Sequence, residues 1–402
     1  MSSSPFTPPR RVLIVVENLP VPLDRRVWLE ATTLRSAGYD VSVICPMGRG
    51  WDSAYEIIDG VHIYRHPAPP EAHSGAIAYA REYLSAMRHW FRLAGQVRRE
   101  RGFDVIHGCN PPDLIWVLAL RYRLAGVRYL FDHHDVCPEL FEAKFGKTGL
   151  LHKVMLLWER ITFACADVSV ATNESFAKIA KTRGRMAAED VFIVRSAPRI
   201  EKFQPGEGDR GYRKAETVLG WIGIIGQQEG MDLMVEAVGH LVAKGRDIHV
   251  IVVGFGPHQA VIERDIAKAG LSERFTFTGA LYGEDMLAAL NVVDIGLAPD
   301  PKNAMNDIST MNKVMEYMTL EKPLVQFDLT EGCASAGDCA RYAVANDPKD
   351  FAKQIAWLMD NPKAAKDMGR AGRIRVLDSL SWEHSAPNLL AAYERVFTKH
   401  RS

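Results

Sequence analysis

The sequence predicts an α/β protein of two Rossmann-like, doubly wound domains facing a central cleft, and three observations carry that prediction. Short β-branched runs alternate with helical patterns along the whole chain. The alternation stops once, at the polar, glycine-rich stretch 204–214, and then restarts. The 402 residues suffice for two such domains. Hydrophobic residues make up 47% and charged residues 24%, the mix of a globular enzyme. Lys plus Arg equals Asp plus Glu at 49 each, which argues against a general nucleic-acid binder. The six cysteines are scattered without a CxxC pair, so neither a zinc ribbon nor a disulfide framework is expected, and a reducing compartment fits.

Residues 1–10 are rich in Ser and Pro and read as a disordered tail. The apolar run Val12–Val16 ends at Glu17, too short for a signal-peptide core, and reads as a first strand. The first domain, 11–203, continues with strand signals at 41–45, 61–65, 104–108, 128–132, 167–171 and 191–195. Their continuous apolar character suits parallel strands covered on both faces. Helical patterns lie between them, such as 25–37 closed by Gly38 and 113–125 closed by Gly126. After the linker 204–214, the second domain, 215–380, offers strands at 218–223, 248–254, 275–279, 294–299 and 323–327. A final helical stretch, 381–402, lies beyond the last strand signal and is expected to cross back onto the first domain. No window reaches the length of apolar chain needed to span a bilayer.

Ligands of open α/β sheets bind beyond the carboxyl ends of the strands, so residues there are the candidates. Gly146-Lys147-Thr148 resembles the end of a P-loop, but Phe141 stands where the loop needs a glycine. Gly254-Phe255-Gly256 lacks the third glycine of a dinucleotide fingerprint, yet Gly254 and Gly256 permit close backbone approach to a ligand. The absence of any DxD pair argues against a metal-held donor pyrophosphate. His133-His134-Asp135 follows a strand. Adjacent strand residues face opposite ways, so the two histidines do not share a metal, and His134 is the one assigned to the cleft as a polar contact or proton carrier. The loop after 294–299 gathers Asp307, Ser309, Thr310, Asn312 and Lys313 where a helix begins, a phosphate-suited terminus, with Glu316 one turn on as a carboxylate for a ribose diol. The run 220–230, including Gly223, Gly226, Gln227 and Gln228, presents backbone N–H groups to an anion. On a predicted helix over 77–101, Arg81, Arg88, Arg92 and Arg99 are spaced to form one basic stripe for an anionic lipid surface or lipid-linked acceptor. Ala80, Leu84, Met87, Phe91 and Ala94 fall on another side, expected to pack inward.

Taken in order, several segments resemble the family-4 retaining glycosyltransferases of GT-B architecture. They are residues 22–30 with Asp24 and Arg25, the His-Asp after the first-domain strand, residues 223–232, 254–257 and 312–318, and the closing Ser381-Trp382-Glu383. The resemblance covers nearly the whole chain and points to surface-polysaccharide and lipid-linked saccharide synthesis. It implies a nucleotide-sugar donor held by the second domain and a saccharide or lipid-linked acceptor on the first. It also implies no cofactor or metal, and a cytoplasmic site with peripheral contact at the inner face of the plasma membrane. By resemblance His134 contacts the donor sugar, Glu316 is the second glutamate of an E-x7-E element that holds the ribose, and Gly223 and Gly226 wrap the pyrophosphate. The first glutamate of that element falls at Ile308, and Asp307 is the nearest substitute. The family's phosphate-binding Arg and Lys fall at Ile224 and Glu229, and its Asn-Gly near the linker at Ser196-Ala197. Lys313, three residues before Glu316, is the nearest replacement cation in sequence, with Arg25 as a first-domain alternative. Two other readings share the architecture: a nucleotide-sugar epimerase, which would need an acid and a base flanking the sugar, and a catalytically silent partner protein.

Overall fold

The structure is a computed structural model that describes residues 9–68, 76–145 and 149–399. The P-loop look-alike 146–148 and most of the tail 1–10 lie outside the described residues. The chain divides into two compact units. One comprises the described residues of Met1–Phe141, Lys147–Arg195 and Ser385–Ser402; the other comprises Glu142–Gly146 and Ser196–His384.

The first unit is built on an eight-stranded sheet of β1 (Arg11–Val16), β2 (Asp40–Pro46), β3 (Tyr55–Ile58), β4 (Val61–His66), β5 (Val105–Cys109), β6 (Arg128–His133), β7 (Val168–Ala171) and β8 (Val191–Ile193). Its order is β3-β4-β2-β1-β5-β6-β7-β8. All neighbours are parallel except β3 and β4. The order reverses between β1 and β5, which makes the ends of these strands the crevice where such a sheet takes ligands. Val12 to Val16 and all of β5 are buried, as the unbroken apolar runs require. β3 is absent from the sequence reading. It is an edge strand whose residues lie exposed or half exposed, with no apolar run to mark it.

The helix Ala76–Glu100 packs on this sheet through Ala86, Trp90, Leu93, Ala94 and Val97. The packed face is rotated from the expected one. Met87 and Phe91 sit at its margin and Leu84 is 66% exposed, because Trp90 points inward and donates its indole N–H to Glu17 at 2.6 Å. The side chain of Ala80 lies outside the described residues. The C-terminal helix Trp382–Thr398 lies from Ser385 onward in the first unit. Its Tyr393 is fully buried, edge-on to Tyr39, and Arg395 and Lys399 both reach Asp190.

The second unit carries β9 (Thr217–Ile224), β10 (Ile248–Phe255), β11 (Phe275–Gly279), β12 (Ile295–Ala298), β13 (Leu324–Phe327) and β14 (Arg341–Ala343), all parallel, in the order β11-β10-β9-β12-β13-β14. Here the order reverses between β9 and β12. Residues 204–214 are held against this sheet's periphery: Asn291 bonds Gly206 and Arg213 forks onto Asp294. Among the described residues no helix is long and apolar enough to cross a membrane.

Candidate functional site

In the second unit the sequence-predicted residues converge on the reversal between β9 and β12. After β9 the chain makes a short turn, Gln227–Glu229, and enters the helix Met231–Ala243 through Gly230. Gly230 has φ +66°, and a Cβ there would lie 2.0 Å from the carbonyl oxygen of Pro299, so the turn can approach the end of β12 only without a side chain. The same holds at Gly254, where φ is +136° and a Cβ would meet the carbonyl oxygen of Gly223 at 1.9 Å. The loop after β12 is stitched to this turn by Asn306, whose amide donates to the carbonyls of Gln228 at 3.0 Å and Pro301 at 2.9 Å.

Lys313 sits at the centre of this arrangement. It is 7% exposed at the start of the helix Asn312–Thr319. Its ammonium donates to Asp300 at 2.7 Å and to Glu229 at 2.9 Å and lies 5.2 Å from the centroid of the Trp221 ring. Burial alone would lower its pKa; Asp300 and then Glu229 outweigh that and raise it, so the lysine stays charged. Burial pushes the Asp300 carboxyl up to about 6, against the pull of Lys313. Lys313 therefore delivers a cation to the turn that carries Glu229, from a different element.

The other second-unit candidates are placed as follows. Glu316 is buried, one turn after Lys313. Asn312 and Gln227 are exposed, and Gln228 is half-buried. Asp307 accepts from the backbone and hydroxyl of Thr330 at 2.9 and 3.0 Å and pairs with Lys302 at 3.3 Å. Ser309 donates to the carbonyl of Met305 at 2.8 Å. Thr310 lies half-buried between Ser309 and the helix. Gly223 and Gly226 flank Ile224, which stands 48% exposed opposite Phe255 in the register of β9 and β10. Gly256 packs against the backbone of Ile225.

In the first unit, period-two alternation separates the two histidines at the end of β6. His133 is fully buried among Phe131, Phe163 and Phe176, neither ring nitrogen has a hydrogen-bond partner among the described residues, and burial lowers its pKa to about 3. His134 faces the other way, its side chain 12% exposed, with Nε2 against a carboxylate oxygen of Asp132. Asn110, just past β5, fixes the backbone there: its carbonyl oxygen accepts from the amides of His134 at 2.7 Å and Asp135 at 3.1 Å. Glu139 is committed to Arg183 at 2.6 Å rather than to the histidines. Asp24 caps the helix Arg25–Ser36 by accepting from Val27, and Arg25 is exposed on that helix. Arg81, Arg88, Arg92 and Arg99 are all exposed on the side of their helix away from the core.

Sequence reasoning missed what lies behind His134. Arg26 forks onto Asp132, Nη2 to Oδ1 at 2.7 Å and Nε to Oδ2 at 3.2 Å, and reaches Glu30 at 3.2 Å. His107 Nε2 lies 3.4 Å from Asp132 and 3.6 Å from Glu30. Glu30, His107, Cys109 and Asp132 converge closely enough to reach one cation. The Arg26 guanidinium already supplies a cation to two of them. The pair Arg26 and Glu30, i and i+4 just after the cap Asp24, was the available signal.

Two family profiles match the chain: "Glycosyl transferase 4-like domain" over residues 23–195 and "Glycosyl transferases group 1" over 216–361. A 2-deoxystreptamine glucosyltransferase of Streptomyces kanamyceticus is 31% identical over 289 residues, 69% of this chain and 73% of the relative. Among solved structures, the sucrose-phosphate synthase of Thermosynechococcus elongatus superposes with TM-score 0.78 at 15% identity, over 96% of this chain and 99% of that one. Anabaena HepE in complex with UDP-glucose superposes with TM-score 0.70 at 13% identity, over 96% and 99%.

Proposed function

Because this chain belongs to the family-4 glycosyltransferases of GT-B architecture, we propose that it transfers a sugar from a nucleotide-sugar donor to a saccharide or lipid-linked acceptor, with retention of configuration and without a metal ion, in the synthesis of a cell-surface polysaccharide or glycolipid. The observation that carries the donor reading is the buried Lys313 ammonium at the strand-order reversal of the second sheet. Glycine-built turns and a helix N-terminus meet there, the setting in which α/β sheets hold phosphates. Lys313 then takes the place of the family's Arg and Lys, whose positions hold Ile224 and Glu229. Glu316 holds the ribose, and the turn after β9 holds the diphosphate. HepE, titled as a complex with UDP-glucose, makes a uridine diphosphate sugar the first donor to try.

In the proposed reaction the acceptor hydroxyl attacks the anomeric carbon from the face the diphosphate vacates, the bond from that carbon to the phosphate oxygen breaks, and a leaving phosphate oxygen takes the hydroxyl proton. The protein's share is positioning and stabilisation of the departing charge, by Lys313 and the backbone amides of the turn, with His134 as a polar contact to the transferred sugar. The exposed arginines, with Leu84 exposed beside them, support peripheral attachment to an anionic membrane. The test is a calorimetric screen of UDP-, GDP-, ADP- and dTDP-sugars, followed by anomer assignment of the product by NMR. Failure of all four donors to bind, or an inverted product, would overturn the reading.

A further inference from the structure

We propose that Asp132 is a positioning residue of the transfer: it takes the Nε2–H of His134 and so presents the opposite nitrogen, Nδ1, as the acceptor that meets a substrate hydroxyl. The proposal rests on the role given to His134 above and extends it to the groups behind that ring.

The geometry points one way. Asp132 and His134 are two residues apart at the end of β6, so both side chains lie on one face. Nε2 of His134 is in hydrogen-bond contact with Asp132 Oδ2. That carboxylate is fully buried and held from its other side by the Arg26 fork, while Arg26 is itself anchored on the carbonyl of Val194 at 2.7 Å. Burial would raise the Asp132 carboxyl; the Arg26 charge leads the groups that outweigh it and keep it well below the usual carboxylate range. It stays an acceptor, and the ring nitrogen facing it must carry the proton.

The neighbouring groups settle into a consistent pattern around it. Glu30 is also fully buried, and burial and the nearby Asp132 push its carboxyl well above the usual range, which makes Asp132 the stronger anion of the two. Burial holds His107 neutral. Its Nε2 lies 3.4 Å from Asp132 and 3.6 Å from Glu30, and its Nδ1 lies 2.8 Å from the hydroxyl of Tyr393. A chain of contacts thus runs from the C-terminal helix through Tyr393, His107 and Asp132 to His134. The arrangement has one consequence a purely structural ion pair would lack: it fixes a tautomer.

The experiment is ¹⁵N-histidine NMR of the whole chain, with His134→Ala assigning the resonance, paired with turnover of whichever of UDP-, GDP-, ADP- or dTDP-glucose the screen identifies. In the wild-type protein the neutral form of the His134 ring is expected to carry its proton on Nε2 and leave Nδ1 bare. Asp132→Asn can turn its amide N–H toward Nε2 and favour the opposite tautomer. It should lower kcat by at least about 100-fold while leaving the donor KM within about twofold, and Asp132→Glu should recover part of the loss. A neutral wild-type ring that carries its proton on Nδ1 overturns the proposal whether or not any variant folds. So does Asp132→Asn turnover within twofold of wild type. His134→Ala turnover near wild type would instead remove the role of His134 itself, a separate failure.

Discussion

Lys313 is the residue on which the donor reading turns. Its ammonium is stabilised by two carboxylates, and removing it strands the buried Asp300 beside the half-buried Glu229. Breaking a buried pair in this way costs about 3–5 kcal/mol. Lys313→Ala should therefore lower both the melting temperature and turnover, whereas Lys302→Ala removes a partly exposed lysine from Asp307 and should change each far less. Separating the two effects requires nucleotide affinity at a temperature where the variant is folded. Equal, minor losses of affinity from both substitutions would leave the phosphate to backbone amides. Glu316→Ala tests the ribose directly. Charge-assisted bonds from a diol contribute on the order of 1.5–3 kcal/mol each, so the dissociation constant of the nucleoside diphosphate should rise at least tenfold in calorimetry. An unchanged constant would remove Glu316 from the site. At this scale the sequence was legible where periodicity or helical spacing governs. Alternation put His133 and His134 on opposite faces of the sheet, and the three-residue step placed Lys313 and Glu316 on neighbouring turns. It was silent on Asp132 with Arg26, 106 positions apart, because a buried ion pair leaves no local pattern.

Strands buried on both faces announce themselves as apolar runs, which is why β1, β2, β5, β9 and β10 were readable within a residue or two. Of the four edge strands, β8 and β11 were read and β3 and β14 escaped. β3 alternates exposed and half-buried residues, and β14 is three residues long. The helix Ala76–Glu100 shows a subtler limit: its spacing defined two faces, and only the inward turn of Trp90 decided which was packed. The basic stripe is unaffected by that rotation. Arg81, Arg88, Arg92 and Arg99 remain exposed, and Leu84 has joined their side. Each basic residue near an anionic surface contributes about 1 kcal/mol, so reversing all four to Glu should lower partition onto phosphatidylserine vesicles by at least about 100-fold. The wild-type protein should also release as salt is raised. Co-sedimentation indifferent to anionic lipid and to the reversal would reduce the stripe to a solvated face.

Across the molecule, the buried titratable residues make stability depend on pH in opposing directions. Burial pushes Asp113 and Asp300 up to about 6 and Glu159 to about 7. Each of these carboxyls binds its proton more tightly folded than unfolded, so each contributes stability that grows as pH falls through its folded pKa. His133 works the other way. Its folded pKa is about 3, below the ordinary value of 6.5, so the unfolded chain binds the extra proton between those values. The stability it contributes is complete above pH 6.5 and is lost as pH falls toward 3, at about 1.4 kcal/mol per unit. The sum of these terms hides any one of them, but a difference between two proteins does not. His133→Phe keeps a ring among Phe131, Phe163 and Phe176 and removes only the titration. The carboxyls are common to both proteins and cancel in the comparison. From pH 7 to pH 4.5 the variant should therefore gain about 3 kcal/mol relative to wild type in denaturant unfolding, whatever the sign of either curve alone. A difference that stays flat across that range would mean His133 carries a proton in the folded protein, and would place it outside the aromatic core that now distinguishes it from His134.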